Sequence, residues 1–127
     1  MSSKTASKQK LSVGILGATG MVGQRFVQLL ENHPWFEVRA VAASRNSAGK
    51  TYADAVEGRW KFPTPIPSSV RGIVVFSVED DVEKIKSRVD FVFSAIDMEK
   101  DAIRALEELY ASHGVPVVSN NSAHRWT

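Results

Sequence analysis

Apolar and polar positions alternate along this chain in two rhythms. Short, nearly continuous apolar runs stand at Leu11–Leu16, which ends at Gly17, at Phe36–Ala43, at 73–76, at Phe91–Ser94 and at 115–119. Runs of this length bounded by turn residues predict strands buried on both faces. Between the first two, Val22, Phe26, Leu29 and Leu30 recur at helical spacing, and His33-Pro34 closes that helix. Ile103, Leu106, Leu109 and Tyr110 mark a second helix face that Gly114 ends. Glu79, Asp80, Asp81 and Glu83 precede Lys84, Lys86 and Arg88, a charge order that suits the dipole of a short helix and reads as a solvated helix start rather than a metal site. The stretch holding Pro63, Pro65 and Pro67 reads as irregular.

Strands alternating with helices imply an α/β fold, an open parallel sheet covered on both faces and wound by right-handed crossovers, with expected strand order 3-2-1-4-5. Residues 1–10 are polar and show no apolar period, so they are expected to form a disordered leader to one domain spanning 11–127. A chain of 127 residues is one domain at most.

Charge changes the picture little. Lys and Arg number 16 against 14 Asp and Glu; removing Lys4, Lys8 and Lys10 of the leader leaves 13 against 14. So weak a field offers no nucleic-acid or polybasic membrane surface. The hydrophobic content of 43% with 24% charged residues is that of a soluble globular protein, and no apolar run nears the ~18 residues of a membrane span, so an intracellular, cytoplasmic protein is expected. Cysteine is absent, which excludes disulfides, thiolate metal sites and thiol nucleophilic catalysis by any residue of this chain.

In such a sheet ligands bind beyond the carboxyl ends of the strands, near the point where strand order reverses. After the first strand stands Gly17-Ala18-Thr19-Gly20-Met21-Val22-Gly23. Gly17 permits a tight turn, Gly20 lets a pyrophosphate approach the backbone, Gly23 allows close helix packing, and the helix start supplies free N–H groups. A triphosphate-binding loop needs Lys and Ser or Thr after the last Gly, whereas Gln24-Arg25 follow here. The motif therefore points to a dinucleotide in a Rossmann-like doubly wound sheet.

After the second strand, an NAD site presents Asp or Glu to the ribose hydroxyls. This chain instead presents Ser44-Arg45-Asn46-Ser47-Ala48-Gly49-Lys50. Hydroxyls, a guanidinium and an ammonium form the set that holds a 2′-phosphate, so NADP is the expected cofactor; the other reading is an ordinary basic surface loop. Ser94-Ala95 is expected on the nicotinamide side, with the small polar groups of Ser119-Asn120-Asn121-Ser122, Asn120 among them, beside it. His124 reads as a packing or hydrogen-bonding residue rather than a base.

The loop 17–26 together with 42–52 and with Ser119-Asn120-Asn121-Ser122-Ala123-His124-Arg125 resembles aspartate-semialdehyde dehydrogenase of the archaeal and fungal type. The resemblance implies an NADP-dependent enzyme of amino-acid biosynthesis that interconverts aspartyl phosphate and the semialdehyde through a cysteine thioester and hydride transfer. By matching positions it implies that Thr19, Gly20, Met21 and Val22 form the pyrophosphate loop. Ser44, Arg45 and Ser47 would contact the 2′-phosphate, and Ser94 and Ala95 the nicotinamide side. Arg125 would grip the phosphate of the substrate, an acyl phosphate or inorganic phosphate.

Enzymes of that family are much longer, and their nucleophilic Cys, acid/base His and oligomer interface are expected beyond Thr127. The chain is thus expected to be a cofactor domain, inactive alone and homo-oligomeric only when full length, with no nucleic-acid or membrane partner. Two other readings remain open at this stage. One is a related acyl-CoA or acyl-phosphate reductase, such as malonyl-CoA reductase; the other is a noncatalytic NADP-sensing module. A short-chain epimerase is set aside, because neither Tyr52 nor Tyr110 has Lys four residues later.

Overall fold

The computed structural model describes residues 11–31, 33–60, 62–63, 65–96 and 100–119. Strands β1 (Leu11–Leu16), β2 (Phe36–Ala43), β3 (Phe76–Ser77), β4 (Phe91–Ser94) and β5 (Val117–Ser119) form a parallel sheet in the order β3-β2-β1-β4-β5. This is the expected order, and it puts the switch point between β1 and β4. Helices α1 (Met21–Leu29), α2 (Tyr52–Ala55), α3 (Ser68–Arg71), α4 (Val82–Lys86) and α5 (Lys100–Ser112) connect the strands.

Two apolar cores, one on each face, account for the continuous hydrophobicity of the strands. Val13 and Ile15 of β1 pack with Val27 of α1, Tyr52 of α2 and Val70 of α3; Leu16, on the opposite face of the pleat, packs with Ile85 of α4 and with Ile103, Leu106 and Tyr110 of α5. In β2 the alternation breaks. Val38 and Val41 share the first face although three residues apart, because the β1/β2 register shifts so that Gly14 pairs with Ala40 and exposed Arg39 is skipped.

Four expectations need correction. The third strand is 76–77, not 73–76: Tyr52 N–H donates to the Ile73 carbonyl and Val75 N–H to the Lys50 carbonyl, so that segment pairs antiparallel with the chain entering α2 before reaching β2. The fifth strand is 117–119, not 115–119, since Gly114 turns at φ 85° and Val115 N–H closes the end of α5 on the Tyr110 carbonyl. In α1 the inward face is Gly23, Val27 and Leu30, while Val22 and Leu29 are 43% and 61% exposed; contact with the preceding loop through Gly23 sets the rotation. The stretch read as irregular contains α2, capped by the Thr51 hydroxyl accepting from Asp54 N–H, and α3, entered through Pro67. The leader 1–10 lies outside the described residues.

Among the described residues no helix is long and apolar enough to cross a membrane, and no group of three acidic or histidine side chains converges as for a metal ion.

Candidate cofactor site

A groove of about 210 Å³ opens at the carboxyl ends of β1, β2 and β4, beside the switch point. Gly17, Thr19 and Gly20 form one wall, Ala43 and Ser44 another, and Ala95 and Ile96 a third, with Glu79 at the rim after β3. Three of the loops predicted from the sequence, those after β1, β2 and β4, thus meet at one place although they lie far apart along the chain.

The first loop is held by its own backbone. Gly17 and Ala18 N–H both donate to the Ala42 carbonyl, at 2.8 and 2.9 Å, and Gly20 N–H donates to the Gly17 carbonyl. The remaining carbonyls are engaged by side chains: the buried Tyr52 hydroxyl donates to Ala18 O at 2.7 Å, and buried Gln24 Nε2 donates to Thr19 O at 2.9 Å and Arg59 O at 3.1 Å. With the loop's acceptors so occupied, the N–H groups of Met21, Val22 and Gly23 at the start of α1 remain without intrahelical acceptors, and no acidic side chain stands in that first turn. An anion is what such an end accepts.

The three glycines have three different causes. Gly17 adopts φ 81°, and a Cβ there would lie 2.7 Å from the Ala95 carbonyl oxygen. A Cβ on Gly23 would run into the Gly17 carbonyl oxygen and stand 2.7 Å from Ala18 Cα. Gly20 has an ordinary φ of −79°, and a Cβ on it would meet only Gly17 O, at 3.7 Å. Among the described residues nothing requires glycine at 20; the open space beside it faces outward, where a ligand would use it.

The second loop turns tightly, with Ser47 and Ala48 N–H donating to the Ser44 carbonyl. Ser44 is exposed in the groove wall, whereas Ser47 is buried, 5% exposed. Arg45 is exposed, and its fork is engaged by the chain itself. Nε donates to Asp80 Oδ2 at 2.7 Å and Nη2 to Asp80 Oδ1 at 3.0 Å, with Glu79 Oε1 3.6 Å from Nε. The hydrogen bond from Arg45 holds the Asp80 carboxyl below its ordinary range, and the pair raises the Arg45 guanidinium. Burial pushes the Tyr52 hydroxyl well above the usual tyrosine range, so it stays protonated as the donor to Ala18.

On the third wall Ala95 N–H donates to the Leu16 carbonyl, tying β4 to β1. Ser94 is fully buried, and among the described residues its Oγ has no partner. Asn120, His124 and Arg125 lie outside the described residues.

Sequence reasoning missed Tyr52, Gln24 and the acidic pair Glu79 and Asp80. Asp80 sits within a run whose spacing fits a helix start, and in fact α4 begins only at Val82; the two residues before that turn face the second loop instead.

A family model described as Semialdehyde dehydrogenase, NAD binding domain matches residues 12–127. The chain belongs to this family. As a semialdehyde dehydrogenase NAD-binding domain it is 41% identical over 118 residues to an aspartate-semialdehyde dehydrogenase from Cryptococcus neoformans, covering 93% of this chain and 31% of that protein. The corresponding enzyme of Methanothermobacter thermautotrophicus is 44% identical over 115 residues, 91% of this chain and 31% of the relative. A crystal structure of aspartate-semialdehyde dehydrogenase with NADP from Candida albicans superposes with a TM-score of 0.80 at 40% identity, over 93% of this chain and 31% of that one. The domain described here therefore spans about a third of the length of these relatives.

Proposed function

We propose that the groove binds NADP and that this chain supplies the cofactor domain of an aspartate-semialdehyde dehydrogenase. The observation that carries this reading is the cradle at Gly20: a helix start whose first N–H groups have no intrahelical acceptors, no acidic side chain in its first turn, and open space beside Gly20 where a Cβ would meet only Gly17 O at 3.7 Å. The pyrophosphate would lie against Gly20, Met21, Val22 and Gly23, and Gly17 and Thr19 shape the loop that holds it. The ribose end would reach Ser44 and Arg45, where no β2 carboxylate stands to favour an unphosphorylated ribose. Buried Ser47 then acts by fixing the turn. Ser94 Oγ, a buried polar atom without a partner among the described residues, would lie on the nicotinamide side next to Ala95, with Asn120 assigned there from the sequence.

NADP, when bound, supplies or accepts the hydride. The chain's own residues bind and orient it: Ala95 and Ile96 give the nicotinamide end an apolar wall, and the Tyr52 and Gln24 hydrogen bonds keep the phosphate loop's donors turned outward. The reacting thiol has to come from outside these 127 residues, which hold no cysteine. By its matching position in the family motif Arg125 is assigned to the phosphate of the acyl-phosphate substrate, a task that suits a planar guanidinium, which can bind phosphate bidentately.

Adding NADP to isotope-labelled protein tests the cofactor reading. Amide resonances of Met21, Val22, Gly23 and Ser44 are expected to shift together. Shifts confined to the opposite end of the sheet, around Arg39 and Arg88, would reject it.

A further inference from the structure

We propose that Asp80 is a positioning residue for cofactor choice: from the loop after β3 it holds the Arg45 guanidinium beside the groove, in the orientation from which Arg45 grips the 2′-phosphate. The inference rests on the reading of Arg45 as a 2′-phosphate contact.

A relay of hydrogen bonds connects the sheet to this arginine. Ser77, the last residue of β3, is buried; its Oγ donates to Asp80 Oδ2 at 2.9 Å and accepts from Asp80 N–H at 3.2 Å, while its own N–H donates to Asp81 Oδ2 at 2.7 Å. The Asp80 carboxylate is therefore fixed before it meets Arg45, and both of its oxygens then receive the guanidinium fork. An exposed arginine would otherwise sample many rotamers.

A guanidinium carries five N–H donors, of which this pair uses two. The edge formed by Nη1 and the second Nη2 hydrogen stays available for a phosphate. Next to Asp80, Glu79 lines the groove with its Oε1 3.6 Å from Arg45 Nε, too long for a hydrogen bond. Without Asp80, this carboxylate is the nearest acidic group to recapture the guanidinium, drawing it into the wall where the cofactor must lie.

Asp80 also has a cost, because its charge repels the phosphate it helps to bind. At roughly 7 Å in water and physiological salt that repulsion weakens binding by about two- to threefold. Ordering a rotamer-rich side chain in advance strengthens binding by roughly two- to tenfold. The two effects are of similar size, so a comparison of neutral variants is needed to separate them. In Asp80→Asn the amide oxygen, in the place of Oδ2, still accepts from Arg45 Nε and from the Ser77 hydroxyl, and only the Nη2 arm of the fork is lost; in Asp80→Ala all of these contacts are gone. The charge is absent from both.

Dissociation constants for NADP and NAD, measured by calorimetry on each variant with and without Arg45→Ala, test the proposal. NADP should bind Asp80→Asn roughly two- to tenfold more tightly than Asp80→Ala, NAD should bind the two alike, and the difference should vanish when Arg45 is alanine. Equal NADP affinity for Asp80→Asn and Asp80→Ala would overturn the proposal, since charge alone would then explain Asp80. So would a difference that persists without Arg45, or one that NAD shares. An Arg45→Ala protein with an unchanged NADP to NAD ratio would instead remove the underlying reading of Arg45, and the role of Asp80 with it.

Discussion

Gly23 and Gly20 stand three residues apart at the start of α1, and a methyl group placed on each meets opposite surroundings. On Gly23 it would collide with the Gly17 carbonyl oxygen and approach Ala18 Cα to 2.7 Å, both of them backbone and both tied by hydrogen bonds to Ala42. Overpacking of this kind costs ~1 to 3 kcal/mol, toward the upper end where the neighbours cannot swing away. Alanine returns about 1 kcal/mol of helix propensity. The net loss for Gly23→Ala is therefore about 2 kcal/mol. Unfolding entropy is ~2.1 cal/mol/K per residue, so for a chain of 127 residues the melting temperature should fall by about 7 to 8 °C.

At Gly20 the same space is open and φ is −79°, so Gly20→Val should lose no more than about 1 kcal/mol of capping preference. Its branched side chain would nevertheless occupy the cradle. Losing one charge-assisted hydrogen bond to a phosphate costs ~1.5 to 3 kcal/mol, so NADP affinity should fall by one to two orders of magnitude. Thermal melts followed by circular dichroism and a calorimetric titration separate the two variants. A Gly23→Ala protein as stable as the parent would show that α1 is not seated on the loop as described. A folded Gly20→Val protein with unchanged affinity would refute the phosphate-loop account.

Further outcomes follow from the same geometry. Tyr52→Phe strands the buried Ala18 carbonyl and should cost ~1 to 3 kcal/mol in urea unfolding, with NADP and NAD weakened equally because the loop, not the ribose contact, is loosened. Tyr52 has a raised folded pKa, so its contribution to stability is complete below ~10 and declines as pH rises above it; urea midpoints that stay level from pH 9 to about 11 would contradict this. Asp80 has a depressed folded pKa, so the stability it adds over Asp80→Asn is present above ~3.9 and lost as pH falls through the lower folded value; melting temperatures of the two proteins should converge in acid. The 127-residue chain should show only background aldehyde-dependent NADP reduction, for want of a thiol. In a protein that also carries the catalytic half, Arg125→Leu should lower kcat/KM for the acyl phosphate and leave NADP affinity intact; lost NADP binding would move Arg125 to the cofactor site.

The sheet order, β1, β2, β4 and the glycine loop were legible in the sequence because each rests on a local pattern: a short apolar run, or a turn whose residues have few other uses. The first loop's bracing was not. Tyr52 and Ala18 are 34 residues apart, and Gln24 and Arg59 are 35 apart, so neither contact leaves a trace in periodicity. Gln24 and Tyr52 stand inside the stretches that carry the family resemblance, but nothing in the sequence marks them as braces of the loop. The edge strand was misplaced because Ile73, Val74 and Val75 are as apolar as a buried strand, while backbone pairing with 49–52 decides where they go. Arg45 is legible as a cation in the loop after β2, but its partner Asp80 lies 35 residues on, in a run whose charge order fits a helix dipole equally well.

The account stands or falls on whether this groove takes NADP through its 2′-phosphate. Calorimetric titration of the chain with NADP and with NAD, under one buffer and salt, measures that directly. With Ser44 and Arg45 in place of a carboxylate, NADP should bind about ten- to a hundredfold more tightly, the worth of one or more charged hydrogen bonds. NAD binding as tight as NADP or tighter would contradict it.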